Sequence, residues 1–226
     1  MAFSLNQEEV VNVVADAVQT ASKEFGVRAN LIGILSRTFG VDACDKELAA
    51  ILAHKDKICA LDLAGDEINF PAPLFVSHFK QARDAGLNVT VHAGEADGPQ
   101  SIWNAIELLG ASRIGHGVAA IRDPKLMDYM AKNNIAVESC PTSNFQTATV
   151  SDLASHPLAQ FLEAGICVCL NTDDPAVSNI TIAHEYEVAN NTLGLNESQL
   201  SQIQLNGVKA SFLSDSEKQA LLSAKA

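Results

Sequence analysis

Three short segments of the sequence place histidine or carboxylate side chains directly after an apolar run. They are residues 91–95 (VHAGE), 114–117 (IGHG) and 171–175 (NTDDP). Imidazole nitrogen and carboxylate oxygen suit a catalytic zinc ion, which lowers the pKa of its bound water and creates a nucleophile at neutral pH. Taken together, the three segments predict a hydrolytic metal site.

Taken singly, two of these segments have a plainer explanation. His92 and Glu95 form an H-x-x-E pair, a spacing that is also frequent on ordinary surfaces. The paired aspartates before a proline fit the start of a helix about as well as they fit a ligand site. His116 is harder to explain as packing, because the glycines on both sides of it allow backbone and ligand to approach closely.

Two further segments carry polar groups at strand ends. In residues 62–67 (DLAGDE), Gly65 could present its backbone N–H group to a ligand. In residues 139–144 (SCPTSN), Cys140 would need an activating base to act as a nucleophile, so a structural thiol is the favoured interpretation. The remaining histidines lie in helical stretches and are expected to be solvated or packed: His54, His78, His156 and His184.

The elements that must position these residues alternate along the chain. Strand-type runs are predicted at residues 28–35, 58–63, 88–91, 113–114, 135–138 and 167–170. Helical patterns are predicted at 7–25, 42–57, 73–85, 101–109, 124–132 and 156–164, followed by 181–190, 197–205 and 215–224. The first helix has Ser4 and Asn6 as candidate caps and ends at Gly26. Strands that alternate with helices predict a parallel sheet.

Two architectures fit this alternation: an open doubly wound sheet, or a (β/α)₈ barrel that lacks two units. Polar residues follow the carboxyl end of every predicted strand. An open sheet concentrates its site at one switch point, whereas a barrel draws its site from many strand ends. We therefore predict an α/β fold, an incomplete TIM-type barrel of about six parallel strands with extra C-terminal helices. Residues 1–226 are predicted to form a single domain.

Composition excludes several function classes. The 226 residues carry a formal net charge of −12, which argues against a charge-driven nucleic-acid or anionic-membrane binder. No apolar run approaches the ~18 residues of a membrane span. The five scattered cysteines are best explained as free thiols in a reducing compartment, so a cytoplasmic protein is expected.

Five segments in this order and spacing resemble the adenosine deaminases: DLAGDE, VHAGE, RIGHG, SCPTSN and NTDDP. Residues 31–40 (LIGILSRTFG) resemble the bacterial members, and the resemblance runs over essentially the whole chain. It implies a zinc-dependent barrel hydrolase of purine salvage that converts adenosine or deoxyadenosine to the inosine product and ammonia. Adenine deaminase remains an alternative. AMP deaminase is disfavoured, because only Arg37 and Arg113 among the strand-end segments could bind a phosphate.

The resemblance also implies roles for individual residues. His92 and Asp173 resemble zinc ligands. Glu95 resembles the acid that protonates the purine ring nitrogen beside the attacked carbon, and His116 the residue that orients the zinc-bound hydroxide and handles its proton. Asp174 resembles the group that hydrogen-bonds the far purine nitrogen. The Gly65 N–H resembles a donor to the remaining ring nitrogen.

The sequence departs from the family pattern at one point. The resemblance implies an H-x-H pair on a first strand that supplies two further zinc ligands, and no H-x-H occurs in this sequence. The first two βα units are therefore expected to be absent. Since a catalytic zinc has at least three protein ligands, we expect weak zinc binding and little turnover by the chain alone. A non-catalytic remnant remains an alternative. An incomplete barrel would also expose two strand edges, through which the chain could self-associate.

Overall fold

The computed structural model describes residues 6–223, and a single sheet of six parallel strands forms its centre. The strands are β1 (Leu31–Ser36), β2 (Ile58–Ala64), β3 (Asn88–Ala93), β4 (Arg113–His116), β5 (Ala136–Ser139) and β6 (Cys167–Leu170). Each strand pairs in parallel with the next strand along the chain. The register aligns Ala60 with Asn88, Thr90 with Arg113 and Ala136 with Cys167.

The consecutive strand order decides between the two architectures. A doubly wound sheet reverses its strand order at a switch point, and no reversal occurs among these six strands. The sheet is also curled, since Ile32 and Ile34 of β1 and Leu170 of β6 line the same cavity of about 550 Å³. The fold is therefore a TIM-type barrel with an incomplete ring of strands, which confirms the predicted fold class.

Helices follow the strands and cover the outside of the sheet. Those between strands are α2 (Val41–Ala53), α3 (Val76–Asp84), α4 (Pro99–Asn104), α5 (Pro124–Lys132), α6 (Pro141–Gln146) and α7 (Leu158–Glu163). The first helix is α1 (Gln7–Phe25), and after β6 come α8 (Pro175–Ser178), α9 (Ile182–Asn191), α10 (Glu197–Ala210) and α11 (Asp215–Ser223). None of the helices in residues 6–223 combines the length and apolar composition required to span a membrane.

The caps of α1 explain its bounds. The Asn6 side chain accepts hydrogen bonds from the backbone N–H groups of Glu8 and Glu9, and Gly26 ends the helix with φ 64°. The helix predicted at 7–25 is thus confirmed. The other candidate cap, Ser4, and the last residue of the helix predicted at 215–224, Ala224, lie outside the described residues.

Several predicted boundaries differ from the structure for identifiable reasons. β1 begins at Leu31 rather than residue 28, because its pairing with β2 begins at Leu31 and Ile58. The stretch predicted as one helix at 101–109 is α4 followed by a π-helical turn that Gly110 ends with φ 77°. α10 continues beyond the predicted residue 205, since Asn206 remains buried and donates to the Val168 carbonyl of β6.

The core lies between the sheet and the helices as one continuous apolar cluster. Its largest fully buried side chains include Phe75, Phe79, Phe161, Leu126 and Met130. Aromatic and long aliphatic side chains of this kind contribute most of the apolar area removed from water. The packed layer fixes the positions of the strand ends, which carry the polar residues described next.

Candidate active site

The six residues singled out from the sequence all lie at or just beyond the carboxyl ends of strands. His92 is in β3 and His116 ends β4, while Glu95 lies in the loop after β3. Gly65 follows β2, and Asp173 and Asp174 lie between β6 and α8. In a parallel barrel these strand ends meet on one face, which is the face that carries active sites.

Three of these side chains form a cluster that could hold a metal ion. The donor atoms of His92, His116 and Asp173 lie within 4.8 Å of one another. The two imidazole rings are 5.0 Å apart between centroids and inclined by 59°. The Ser143 hydroxyl fixes the carboxylate of Asp173 by donating a hydrogen bond of 2.7 Å to its Oδ2 atom.

Asp62 orients the imidazole of His92. Its Oδ2 atom lies 2.9 Å from His92 Nδ1, which leaves Nε2 as the nitrogen available to a metal. Burial lowers the pKa of His92, but the charge and hydrogen bond of Asp62 outweigh burial and raise this pKa to about 9. Burial raises the pKa of Asp62, but the charge and hydrogen bond of His92 outweigh it and leave that pKa below its ordinary value.

Two residues of the cluster have backbone conformations that L-residues rarely adopt. His116 has φ 63° and Asp173 has φ 57°. Strained backbone of this kind persists where the surrounding structure over-determines it, and it is concentrated at functional sites. The glycine before His116 serves a related purpose, because a Cβ atom on Gly115 would lie 3.3 Å from Cγ of His92. The absence of a side chain at Gly115 therefore makes room for the ring of His92 and not for a ligand.

A buried chain of polar groups lies behind His116. Its Nδ1 atom is 3.0 Å from Asn144 Nδ2, and Asn144 Oδ1 is 3.2 Å from Nε2 of His156. All three residues are at most 2% exposed. Burial, followed by the charge of His116, lowers the pKa of His156 to about 4. The expectation that His156 is packed is therefore correct, but sequence reasoning missed its contact with the site.

Glu95 faces His116 across the site, with Oε2 3.6 Å from His116 Nε2. Its loop is held by Glu67, whose buried carboxylate accepts hydrogen bonds from the backbone N–H groups of four successive residues, 94–97. Sequence reasoning placed Glu67 among the polar residues after β2 and gave it no role. Glu67 is only 4% exposed although it lies next to an exposed turn. This burial is what distinguishes it, and burial is not visible in the sequence.

Gly65 and Asp174 are not among the residues that line the 550 Å³ cavity at the cluster. Gly65 has φ 110°, and a Cβ atom there would clash with the Thr38 hydroxyl oxygen. Asp174 caps α8, where its Oδ1 atom accepts a hydrogen bond of 3.4 Å from the Val177 N–H. The capping explanation considered for the paired aspartates therefore applies to the second of them.

The cavity contains two acidic residues that the sequence analysis did not select, Asp62 and Glu138. Glu138 of β5 lines it, with Oε1 3.0 Å from Nε of Arg113. Its Oε2 atom accepts a hydrogen bond of 2.8 Å from the Thr90 hydroxyl. A glutamate inside the short apolar strand Ala136–Ser139 was the available signal, because a charged residue in such a strand requires a partner in the barrel interior.

Both arginines considered as phosphate ligands are engaged with the protein itself. Besides Glu138, Arg113 donates to the Ala210 carbonyl and lies 3.9 Å from the ring centroid of Phe212. Arg37 is fully buried and donates to the carbonyls of Leu63 and His92. Both guanidinium groups therefore bind acceptors of the protein itself.

Cys140 is a buried thiol. Burial raises its pKa far above the ordinary value, and the nearby carboxylates of Asp173 and Glu138 raise it further. A thiol in this environment stays protonated and is a poor nucleophile. The structure therefore agrees with the structural interpretation of this cysteine.

The incomplete TIM-type barrel with a His/Asp cluster at its strand ends resembles solved barrels of the amidohydrolase and deaminase class. Within that class, the adenosine deaminase family model matches residues 1–225. The chain belongs to the adenosine deaminase family.

Curated relatives give the same assignment. The chain is 63% identical over 212 residues to an adenosine deaminase of Vibrio parahaemolyticus, covering 94% of the chain and 64% of that protein. It is 61% identical over 222 residues to an adenosine deaminase of Vibrio cholerae, covering 98% of the chain and 66% of that protein. The chain thus spans about two thirds of the length of these curated relatives.

Two crystal structures resemble the fold closely. An adenine deaminase of Arthrobacter aurescens is 31% identical with a TM-score of 0.91, over 96% of this chain and 66% of that one. An amidohydrolase of Burkholderia ambifaria with bound zinc is 25% identical with a TM-score of 0.92, over 97% of this chain and 62% of that one.

Proposed function

We propose that this site serves the zinc-dependent hydrolytic deamination of adenosine or deoxyadenosine to inosine or deoxyinosine and ammonia. The observation that carries the proposal is the juxtaposition of Glu95 and His116, 3.6 Å apart, beside the His92 and Asp173 donor atoms. An acid, an imidazole and a metal cluster within one cavity are the groups that water addition to an amino-bearing aromatic carbon requires. The identity to adenosine deaminases at 61–63% supports the choice of substrate.

The residues present fit a zinc ion in part. His92 would hold it through Nε2, because Nδ1 is directed at Asp62, and Asp173 would hold it through a carboxylate oxygen. The chemistry that zinc supplies when bound is activation of a water molecule for attack at neutral pH. The zinc in the Burkholderia amidohydrolase supports this choice of metal.

The remaining roles belong to the chain's own side chains. Glu95 would give a proton to the purine ring nitrogen next to the attacked carbon, making that carbon electrophilic. His116 would orient the attacking water by a hydrogen bond. Asp174 uses Oδ1 to cap α8, so Oδ2 would be left to bind the far purine nitrogen. The N–H of Gly65 would donate to the remaining ring nitrogen.

For the chain by itself, we propose weak zinc binding and little turnover. The sequence has no H-x-H pair, so two of the ligands that the family pattern implies are missing. β1 and β6 each pair with one described strand only, which leaves two edges open for self-association. We also propose that residues 1–226 are one domain, since the described core is one cluster.

One observation favours a second substrate. The Arthrobacter structure is named an adenine deaminase, and it resembles this chain at 31% identity. Adenine lacks the ribose, and both substrates present the same amino-bearing ring to Glu95 and His116. We rank adenosine first because the relatives of that name are about twice as identical. A non-catalytic remnant is ranked last, because the cluster and the facing acid are both retained.

Purine salvage in the cytoplasm is the setting we propose. The five cysteines are free in the structure, and Cys44, Cys140 and Cys169 are buried. Unpaired thiols are typical of a reducing compartment.

Ammonia release tests the proposal on two proteins. The first is the purified chain with added zinc, given adenosine, deoxyadenosine or adenine. The second is a chimera that joins the chain to the part of the Vibrio cholerae relative that it does not match. We expect little release from the chain alone, and release from adenosine by the chimera that Glu95→Gln abolishes. A folded, zinc-loaded chimera that acts only on adenine would replace the proposal with its alternative, and one inactive on all three would refute both.

A further inference from the structure

The polar chain behind His116 ends at a backbone group whose hydrogen position is fixed. The N–H of Leu158 donates to Nδ1 of His156 at 3.2 Å. A backbone amide can only donate, so Nδ1 of His156 is the acceptor and carries no hydrogen. The hydrogen of the neutral His156 ring is then on Nε2, which faces Asn144.

This assignment propagates through the Asn144 amide. Nε2 of His156 donates to Asn144 at 3.2 Å, so the amide oxygen must face His156 and the NH₂ group must face His116. At 3.0 Å the NH₂ group donates to Nδ1 of His116, and a nitrogen that accepts this bond carries no hydrogen. The hydrogen of a neutral His116 ring is therefore on Nε2, the nitrogen that faces Glu95.

We propose that Asn144 and His156 are positioning residues that hold His116 as its Nε2–H tautomer, so that His116 meets a bound molecule as a hydrogen-bond donor and is not a metal ligand. Nδ1 is occupied by the Asn144 amide, and Nε2 has no free lone pair in this tautomer. His116 lies within 4.8 Å of the other donor atoms, but the metal-binding nitrogen in this cluster belongs to His92.

The tautomer itself is independent of the reaction, while the identity of the group that Nε2–H binds rests on the proposed function. The inference also separates two histidines that look equivalent in the cluster. Asp62 accepts from Nδ1 of His92 and frees Nε2 for a metal, whereas Asn144 donates to Nδ1 of His116 and leaves Nε2 protonated. The chemical nature of the partner at Nδ1 thus decides the role of each ring.

Nitrogen-15 NMR of the imidazoles reads the tautomer in the zinc-free chain. At about pH 8, above the ordinary imidazole pKa, we expect the shift of His116 Nε2 to be of the hydrogen-bearing type and that of Nδ1 to be of the bare type. A His116→Gln variant assigns the signals. The opposite pattern in the unaltered chain would overturn the proposal without any variant.

Asn144→Asp supplies the second arm, because it replaces the donor facing Nδ1 with an acceptor. We expect Nδ1 of His116 to gain a hydrogen and its shift to move to the hydrogen-bearing type. The matched control is Asn206→Asp, a buried asparagine that donates to the Val168 carbonyl instead. It should leave the His116 shifts unchanged. Unchanged shifts in a folded Asn144→Asp chain would refute the positioning role.

Zinc addition separates this inference from the proposed function. We expect zinc to displace a hydrogen from His92 Nε2 and to leave His116 Nε2 protonated. Loss of the His116 Nε2 hydrogen on zinc addition would make His116 a ligand and overturn the inference. A chimera that fails to deaminate adenosine would refute the proposed function, and the tautomer measured without zinc would stand.

Discussion

The carboxylate of Glu67 accepts a hydrogen bond from the backbone N–H of Glu95, with Oε2 at 3.1 Å from the nitrogen. The same carboxylate accepts from Gly94, Ala96 and Asp97, so one buried side chain closes the whole loop that carries the proposed acid. Hydrogen bonds to a charged acceptor are about twice as strong as neutral ones. The position of Glu95 therefore depends on an acidic residue from a different strand end.

Glu67→Gln tests this dependence. The amide keeps one acceptor oxygen but loses the charge and places an NH₂ group near backbone donors, so we expect a loss of about 2–3 kcal/mol in the free energy of unfolding. Amide hydrogen exchange at residues 94–97 should become faster than in the unaltered chain. Glu107→Gln, at an exposed glutamate, is the control. Equal exchange in the two variants would contradict the role assigned to Glu67.

Asp62→Asn tests the orientation of His92. The amide can present its NH₂ group to Nδ1, which then accepts a hydrogen bond and leaves the hydrogen of the neutral ring on Nε2, so the nitrogen that faces the metal loses its free lone pair. Loss of such an outer carboxylate lowers metal affinity about 10–100-fold. Competition titration with a zinc chelator measures the change, with Asp128→Asn as an exposed control. Unaltered zinc affinity would mean that Asp62 does not set the ligand geometry.

Gly65→Ala separates two kinds of strain. A Cβ atom there would clash with the Thr38 hydroxyl oxygen, and the alanine would also have to adopt the positive φ of 110°. Gly86 has φ 89° and nothing within 4 Å of a new Cβ atom, so Gly86→Ala measures the backbone cost alone. We expect Gly65→Ala to be more destabilising than Gly86→Ala by about 1–3 kcal/mol in urea unfolding. Equal losses would show that Thr38 moves aside without cost.

The pH dependence of stability should carry the signature of His156. Its pKa is about 4 in the folded chain, below the ordinary imidazole value, because burial disfavours the charged ring. The unfolded chain therefore binds an extra proton between about pH 6.5 and 4. The contribution of His156 to the free energy of unfolding is fully present above about pH 6.5. It falls as the pH drops towards 4, by on the order of 3 kcal/mol in total.

Urea unfolding of the unaltered chain and of His156→Gln across this pH range checks the sign and the window. The variant should be less stable at neutral pH, and its stability should fall less steeply on acidification. His78→Gln serves as a second buried-histidine control, since His78 lies 2.9 Å from Asp45 rather than among uncharged partners. Parallel curves for the unaltered chain and His156→Gln would show that His156 is not held neutral.

The sequence was a good guide to the fold where a local signal marked an element. The helix α5 begins at Pro124 as predicted, because proline at the first helical position is a direct physical start signal, and the structure adds Asp123 as its cap. The apolar run of β6 is also as predicted. The short helices α6 and α8 were not predicted, because four to six residues are too few to show the helical repeat of apolar residues.

The site residues also fall into two groups, those that the sequence predicted and those that it did not. Histidine and carboxylate types after strands predicted His92, His116 and Asp173 as neighbours, because parallel strand ends converge on one face. Asn144, His156 and Glu67 were beyond reach, since their importance comes from burial and from partners 12 to 30 positions away. No spacing rule in the sequence specifies that a buried amide faces an imidazole.

The consecutive order of the strands has a consequence for how the chain acquires its structure. Every strand pairing joins two strands that are consecutive in the sequence, so no pairing among the described strands waits for a distant part of the chain. Such pairings keep the entropic cost of loop closure low, and they can form in order as the chain leaves the ribosome. The assembly should therefore grow by docking one strand and helix at a time, and each added unit should find its neighbour already in place.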